Sequence, residues 1–253
     1  MQFVRTAQYE VASTVVALLS QGLAAGHSVV WLISGGEGRT AERTVLRTLL
    51  RTHRSLLSRL VIVPTHEQYA CDDAHTKPAS TRGVMAELLK DMDDLGEATY
   101  INILSPHRSF EEMVELYGTL AQTILQRSTY IVGQFTLGPD GALGGLAPSS
   151  PALSITGRAV AGFRQGDHAY LTLTPDALTH CTHAVVSAYG RGHDMVPVLE
   201  KLQRHRAALE TLPALLLYSV PEVYVFNTSS NRHILEHKRN DDILTVINKE
   251  RTK

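Results

Sequence analysis

The segment Val29-Val30-Trp31-Leu32-Ile33-Ser34-Gly35-Gly36-Glu37-Gly38-Arg39-Thr40 restricts the fold more than any other stretch of the chain. Its first five residues are bulky and rich in β-branched side chains, with no polar residue alternating among them. That is the pattern of a strand covered on both faces. A Gly-rich turn follows, then a helical pattern to about His53 with Val45, Leu46, Leu49 and Leu50 as its apolar stripe. Gly35, Gly36 and Gly38 free the backbone and let a ligand approach it closely. A helix starting there offers unpaired N–H groups and the positive end of its dipole, which suit a phosphate or carboxylate, and Arg39 adds a cationic fork. The same residues also suit a plain strand-to-helix turn, so the segment alone leaves both readings open.

The remainder repeats the strand–helix alternation. Tyr9 to Ala25 places Val11, Val15, Leu18, Leu19 and Leu23 at helical spacing, and Gly26 stops that helix before the strand Ser28–Ile33. Leu60 to Val63 is a strand closed by Pro64, and Thr65 to Ser80 is a polar, irregular loop that forms a candidate wall of a site. A helix at Arg82–Lys90 and a strand at Ala98–Leu104 come next. Ser109 and Glu112 make a capping box for a helix to about Gln126, with Met113, Leu116, Leu120 and Ile124 inward. Thr129–Thr136 is a strand that runs into a second Gly-rich turn, Gly138-Pro139-Asp140-Gly141. Further strands are expected at Leu153–Thr156, Ala159–Phe163, Ala169–Leu173, Ala184–Ala188 and Glu222–Phe226. A short helix over Pro175–Thr182 and a longer one from about Met195 to Leu209 complete the set. This order predicts an α/β fold: a Rossmann-like, doubly wound, mainly parallel sheet flanked by helices in a single domain. Residues 1–231 are expected to form it, with residues 232–253 a charged C-terminal helix or tail.

Composition limits what such a domain does. A length of 253 residues supplies an ample core, and a net charge of −1 gives no electrostatic case for nucleic acid or an anionic membrane. Two cysteines, Cys71 and Cys181, make no disulfide framework, and neither a secretory leader nor a membrane-length apolar run is visible. A cytoplasmic location is expected.

Ser34-Gly35-Gly36 after the first strand, Gly138-Pro139-Asp140-Gly141 after a middle one, and Gly190-Arg191-Gly192 at a late strand end occur in a telling order. Together they resemble the 6-phosphogluconolactonase and glucosamine-6-phosphate isomerase (deaminase) superfamily, over roughly Tyr9 to Asn227. The resemblance implies a Rossmann-like fold and a small-molecule sugar phosphate as ligand. It implies hydrolysis of a phosphosugar lactone of the pentose phosphate pathway, with no metal or organic cofactor. On it, Ser34, Gly35, Gly36 and Arg39 cradle the phosphate together with Gly138, Gly141 and His193. Asp140, His66 and Glu67 carry the chemistry, with Asp140 assisting the base and His66 as the candidate base.

The chain also departs from the family pattern. Ala142 stands where the lactonase motif has its general-base histidine, and Ala accepts no proton. His66-Glu67-Gln68 replaces Asp-Glu-Arg, Tyr170 replaces an arginine, His193 replaces a lysine, and Glu37 brings a negative charge to the phosphate turn. The alternative is therefore a catalytically degenerate member acting in binding, regulation or assembly, with room for a homo-oligomer or a protein partner. His233-Ile234-Leu235-Glu236-His237 matches a zinc-peptidase spacing, but it lies in the polar tail without a third ligand, and no metal is expected.

Overall fold

The computed structural model describes residues 2–5, 8–70, 96–103, 108–188, 195–205, 207–227 and 245–247. The main sheet contains β1 (Gln2–Arg5), β2 (Val29–Ile33), β3 (Leu60–Pro64), β5 (Thr99–Tyr100), β6 (Tyr130–Leu137), β9 (His183–Ala188), β10 (Glu222–Asn227) and β11 (Thr245–Ile247). These eight strands are all parallel, in the order β11-β1-β10-β9-β6-β2-β3-β5. A second, three-stranded antiparallel sheet has the order β4-β8-β7, with β4 (His66–Ala70), β7 (Val160–Gln165) and β8 (His168–Leu173). The α/β, mainly parallel fold expected from the sequence is thus the one observed.

Residues of β2 are buried without exception, which is why the run carries no alternation. Their side chains feed two cores. Val29, Trp31 and Ile33 pack under α1 (Gln8–Ala24) and α2 (Arg39–Thr52). Val30 and Leu32 pack on the opposite face, with α3 (Phe110–Arg127), α4 (Pro175–Leu178) and α5 (Val196–Arg204). Helices on both faces make the sheet doubly wound.

Several expectations are corrected. The polar loop begins as a strand: His66–Ala70 pairs with β8, which supplies the backbone partners that a run without apolar alternation does not advertise. Leu153–Thr156 is not a strand, because Pro151 opens a 3-10 turn over Pro151–Ser154 and Ser150 Oγ accepts from Ala152 N–H at 3.3 Å. Ala169–Leu173 is a strand, but antiparallel and outside the main sheet. Of the strand expected over Ala98–Leu104, the described residues 98–103 form one only at Thr99–Tyr100, and Leu104 lies outside the described residues. The tail contributes the short strand β11 beside β1. Arg82–Lys90, Gly190–Gly192 and His233–His237 lie outside the described residues.

Helix α3 has its capping box, with Glu112 N–H 3.2 Å from Ser109 Oγ and Ser109 N–H 2.7 Å from Glu112 Oε2. Its buried stripe is rotated from the expected one. Phe110, Met113, Tyr117, Ala121 and Leu125 face inward, while Leu116 and Leu120 stay 43% and 38% exposed. Two contacts set the rotation: the Tyr117 hydroxyl donates to the Pro64 carbonyl, and Val114 fills the space left by the missing side chain of Gly162.

Gly133 in β6 shows how tightly the centre is filled, since a Cβ there would lie 2.2 Å from Phe135 Cζ. Gly133→Ala is expected to destabilise the fold by about 1–3 kcal/mol through overpacking, read as a lower midpoint in denaturant unfolding. An unchanged midpoint would show that the Phe135 ring moves away at no cost.

Candidate functional site

Strands β3 and β5 lie to one side of β2, and β6, the next strand of the main sheet, returns to the other side. The carboxyl ends of β2 and β6 therefore flank the point where the strand order reverses, the usual ligand crevice of an open α/β sheet. Both glycine turns leave from these two ends. The turns are tied together directly, with Thr136 N–H 3.2 Å from Ser34 Oγ.

At the first turn Gly35 has φ 62° and ψ −143°, a conformation essentially limited to glycine. A single 3-10 turn over Gly36–Gly38 then leads straight into α2 at Arg39. The backbone N–H groups of Ser34 and Gly35 converge on one atom, Glu42 Oε1, at 3.1 and 2.8 Å. The two N–H groups of the turn are thus occupied by a carboxyl oxygen of the chain itself. Glu42 is fully buried, and its second oxygen, Oε2, has no hydrogen-bond partner among the described residues. Burial pushes its pKa up to about 7, against the opposing pull of the Gly35 and Ser34 N–H groups and of the Arg39 guanidinium.

The second turn is held by its own groups. Asp140 Oδ1 accepts from Ala142 N–H at 3.0 Å, and Gly138 N–H donates to the Ala142 carbonyl at 3.0 Å. Gly141 N–H donates to the Gly138 carbonyl at 3.0 Å. The exposed Asp140 carboxylate is thus part of an Asx turn that shapes the loop. Gly145, at φ +92°, abuts His66: a Cβ there would sit 2.4 Å from the His66 Cβ and Cγ. His66 Nδ1 is 3.1 Å from Thr65 Oγ1. Close packing lowers its pKa to about 4, so the imidazole is neutral at pH 7.

The structure therefore brings Ser34, Gly35, Gly36, Arg39, Gly138, Asp140, Gly141 and His66 to one end of the sheet. Glu67 does not share His66's surface. Neighbours along β4 point to opposite faces, and Glu67 is buried on the face of its partner Leu171, with Oε1 accepting from Gln68 N–H at 2.9 Å. Tyr170 lies opposite Gln68 in the small sheet and stacks on Phe163, ring centroids 5.3 Å apart. His193 is outside the described residues. At the far, amino-terminal edge of the main sheet, His183 Nε2 is 3.3 Å from Glu222 Oε2, and the Cys181 thiol is buried with its pKa raised to about 12. Among the described residues, no group of three or more His, Cys, Asp or Glu is placed to hold a metal ion, and no helix is long and apolar enough to cross a membrane.

No family model and no curated protein matches this chain. Solved structures do. A 6-phosphogluconolactonase from Shewanella baltica superposes with a TM-score of 0.66 at 16% identity, covering 90% of this chain and 97% of that one. The chain has the fold of the 6-phosphogluconolactonases. The enzyme from Leishmania guyanensis gives 0.63 at 14% identity, over 93% of this chain and 99% of that one. A monomeric glucosamine-6-phosphate deaminase gives 0.62 at 17% identity, over 90% and 97%. The resemblance first read from three glycine-bearing strand ends thus extends to the 6-phosphogluconolactonase fold as a whole.

On that fold, the sequence reading overlooked Glu42. The signal was present: Glu42 precedes Val45, Leu46 and Leu49 by three, four and seven residues, an acid on the buried stripe of a helix. Thr136, beside Gly38 and Ser34, was also missed.

Glu42 makes a testable contribution to stability. A group whose pKa rises on folding stabilises the fold fully below its unfolded value, here 4.5, and that contribution is lost as pH rises through about 7. Because burial of His66 acts in the opposite sense over the same range, the readout is the stability of the unaltered protein minus that of Glu42→Gln by denaturant unfolding, which is expected to decline on the order of 3 kcal/mol at most from about pH 4.5 to about pH 8. Parallel pH profiles in the two proteins would show that Glu42 does not titrate in this way.

Proposed function

We propose that this protein binds a sugar phosphate in the crevice between its two glycine turns, with the phosphate at the amino-terminal end of α2 and the sugar toward His66 and the Gly138–Gly145 loop. One observation carries the reading: two backbone N–H groups of the Ser34–Gly35 turn already converge on one carboxyl oxygen. The fold shared with proteins named as 6-phosphogluconolactonases and a glucosamine-6-phosphate deaminase supports the ligand class.

The reaction to test is hydrolysis of 6-phosphogluconolactone, the pentose phosphate step. Water adds to the lactone carbonyl carbon as its proton passes to His66. The ring C–O bond then breaks, and the proton returns to the departing hydroxyl. His66 is a weak base because its protonated form is costly in that packing. Ala142 adds no base, and the Asp140 carboxylate is engaged with its own turn. These features favour slow hydrolysis, and they also favour the second reading, a binding or regulatory protein without turnover.

Thermal shift with 6-phosphogluconate, glucosamine 6-phosphate and phosphate-free gluconate separates these readings. The phosphorylated sugars are expected to raise the melting temperature and gluconate is not. If no phosphorylated compound shifts the transition, the sugar-phosphate reading is wrong. Lactone hydrolysis above the spontaneous rate, reduced about 10²-fold by His66→Ala, would establish the catalytic role. A rate equal to the buffer blank alongside saturable binding would establish the silent one.

A further inference from the structure

We propose that Glu42 is a built-in competitor for the anion cradle and decides its specificity: a ligand's anionic group gains the Ser34 and Gly35 N–H groups only as the Glu42 carboxyl releases them and takes up a proton. The inference rests on the sugar-phosphate reading of the same turn and names the condition under which the ligand enters.

The geometry is that of a site already filled. Oε1 takes both N–H donors, and a Cβ at Gly38 would lie 3.6 Å from that oxygen and 3.2 Å from Thr136 Oγ1. The carboxylate is thus enclosed between the turn, the start of α2 and the end of β6. Its other oxygen is buried without a partner among the described residues, so the ionised form is only half satisfied. The uncharged acid costs less to bury. A second anion brought to the same N–H groups repels the carboxylate and raises its proton affinity further.

The surroundings do little to oppose that shift. On its own helix Glu42 is flanked by Arg39 and Arg43, and Arg39 favours the ionised form. Glu37 in the turn and Glu10 at the start of α1 add negative charge at this end of the sheet. Toward the carboxyl ends of β6 and β9 the polar side chains on the α1–α2 face are the uncharged Gln134, Thr136 and Ser187, while Tyr130, His183 and, from β10, Glu222 stand on that face at the strands' amino-terminal ends. Gln134 is itself buried, with both amide atoms lacking a partner among the described residues. At the carboxyl ends of these two strands the described side chains beside the carboxyl are therefore uncharged polar groups.

The free carboxyl titrates near neutrality, so above that pH ligand binding is coupled to uptake of one proton and affinity falls about tenfold per pH unit. Sulfate is the clean probe, because its charge is constant across the range, and 6-phosphogluconate is the second. Calorimetric titration of the full chain at about pH 8, in two buffers of different ionisation enthalpy, is expected to report uptake of about one proton per ligand. Glu42→Gln should bind either ligand about tenfold or more tightly at that pH, with no proton uptake and a flat pH profile for sulfate. Because the buffer comparison uses the unaltered protein, it decides the matter even if the variant folds poorly. Binding without proton uptake, and with equal affinity in both proteins, would overturn the role of Glu42 and leave the sugar-phosphate reading standing. Binding of neither ligand by either protein would overturn both.

Discussion

The pairing of β2 with β6 governs where everything else lies. Both strands are parallel and buried, and their register, Ile33 opposite Gln134, brings Ser34 level with the last residues of β6. Each strand ends in a glycine turn, so a single ladder of backbone hydrogen bonds sets the two turns side by side. The Ser34–Thr136 contact is a consequence of that register. Strands β3 and β5 go to one side and β9 and β10 to the other, which leaves the crevice open at the point of reversal.

Electrostatics at that crevice is dominated by backbone dipoles and one buried acid. The amino-terminal end of α2 and the Ser34 and Gly35 N–H groups favour negative charge. Glu42 supplies it from within the chain, and burial then raises the carboxyl's pKa to about 7. The N–H groups that hold this carboxyl oxygen would need no reorientation to meet the external anion proposed above. The cost is competition between the two. Neutral His66, set against Gly145, completes an end of the sheet that carries little fixed positive charge from histidine at neutral pH.

The fold and the site chemistry follow different rules in this chain. At 14–17% identity the fold is shared over at least 90% of this chain. Backbone geometry tolerates many side chains, provided the buried runs remain apolar and the turns keep glycine at positions such as Gly35 and Gly145. Catalysis depends on single side chains, and here Ala142 accepts no proton while Tyr170 stacks on Phe163 in the small sheet. Function on such a scaffold must be argued from the groups present.

Much of the architecture was legible in the sequence, because burial on two faces writes unbroken apolar runs and amphipathic helices write a 3.6-residue stripe. β2, α1 and α2 were read that way, and the α3 capping box and both glycine turns from the local chemistry of their own residues. What escaped was whatever depends on a distant partner. β4 is polar and becomes a strand only because β8 offers a ladder. The rotation of α3 follows from the Tyr117 bond to Pro64 and from the space at Gly162. The Ser34–Gly38 turn is the clearest case. Sequence alone determined a glycine turn running into a helix, since glycine freedom and a helix start are local properties, and left open whether it receives an anion or is a plain strand-to-helix turn. Only the tertiary structure decided which anion sits there, because that depends on α2 folding back to bury Glu42 against the N–H groups of residues seven and eight positions earlier.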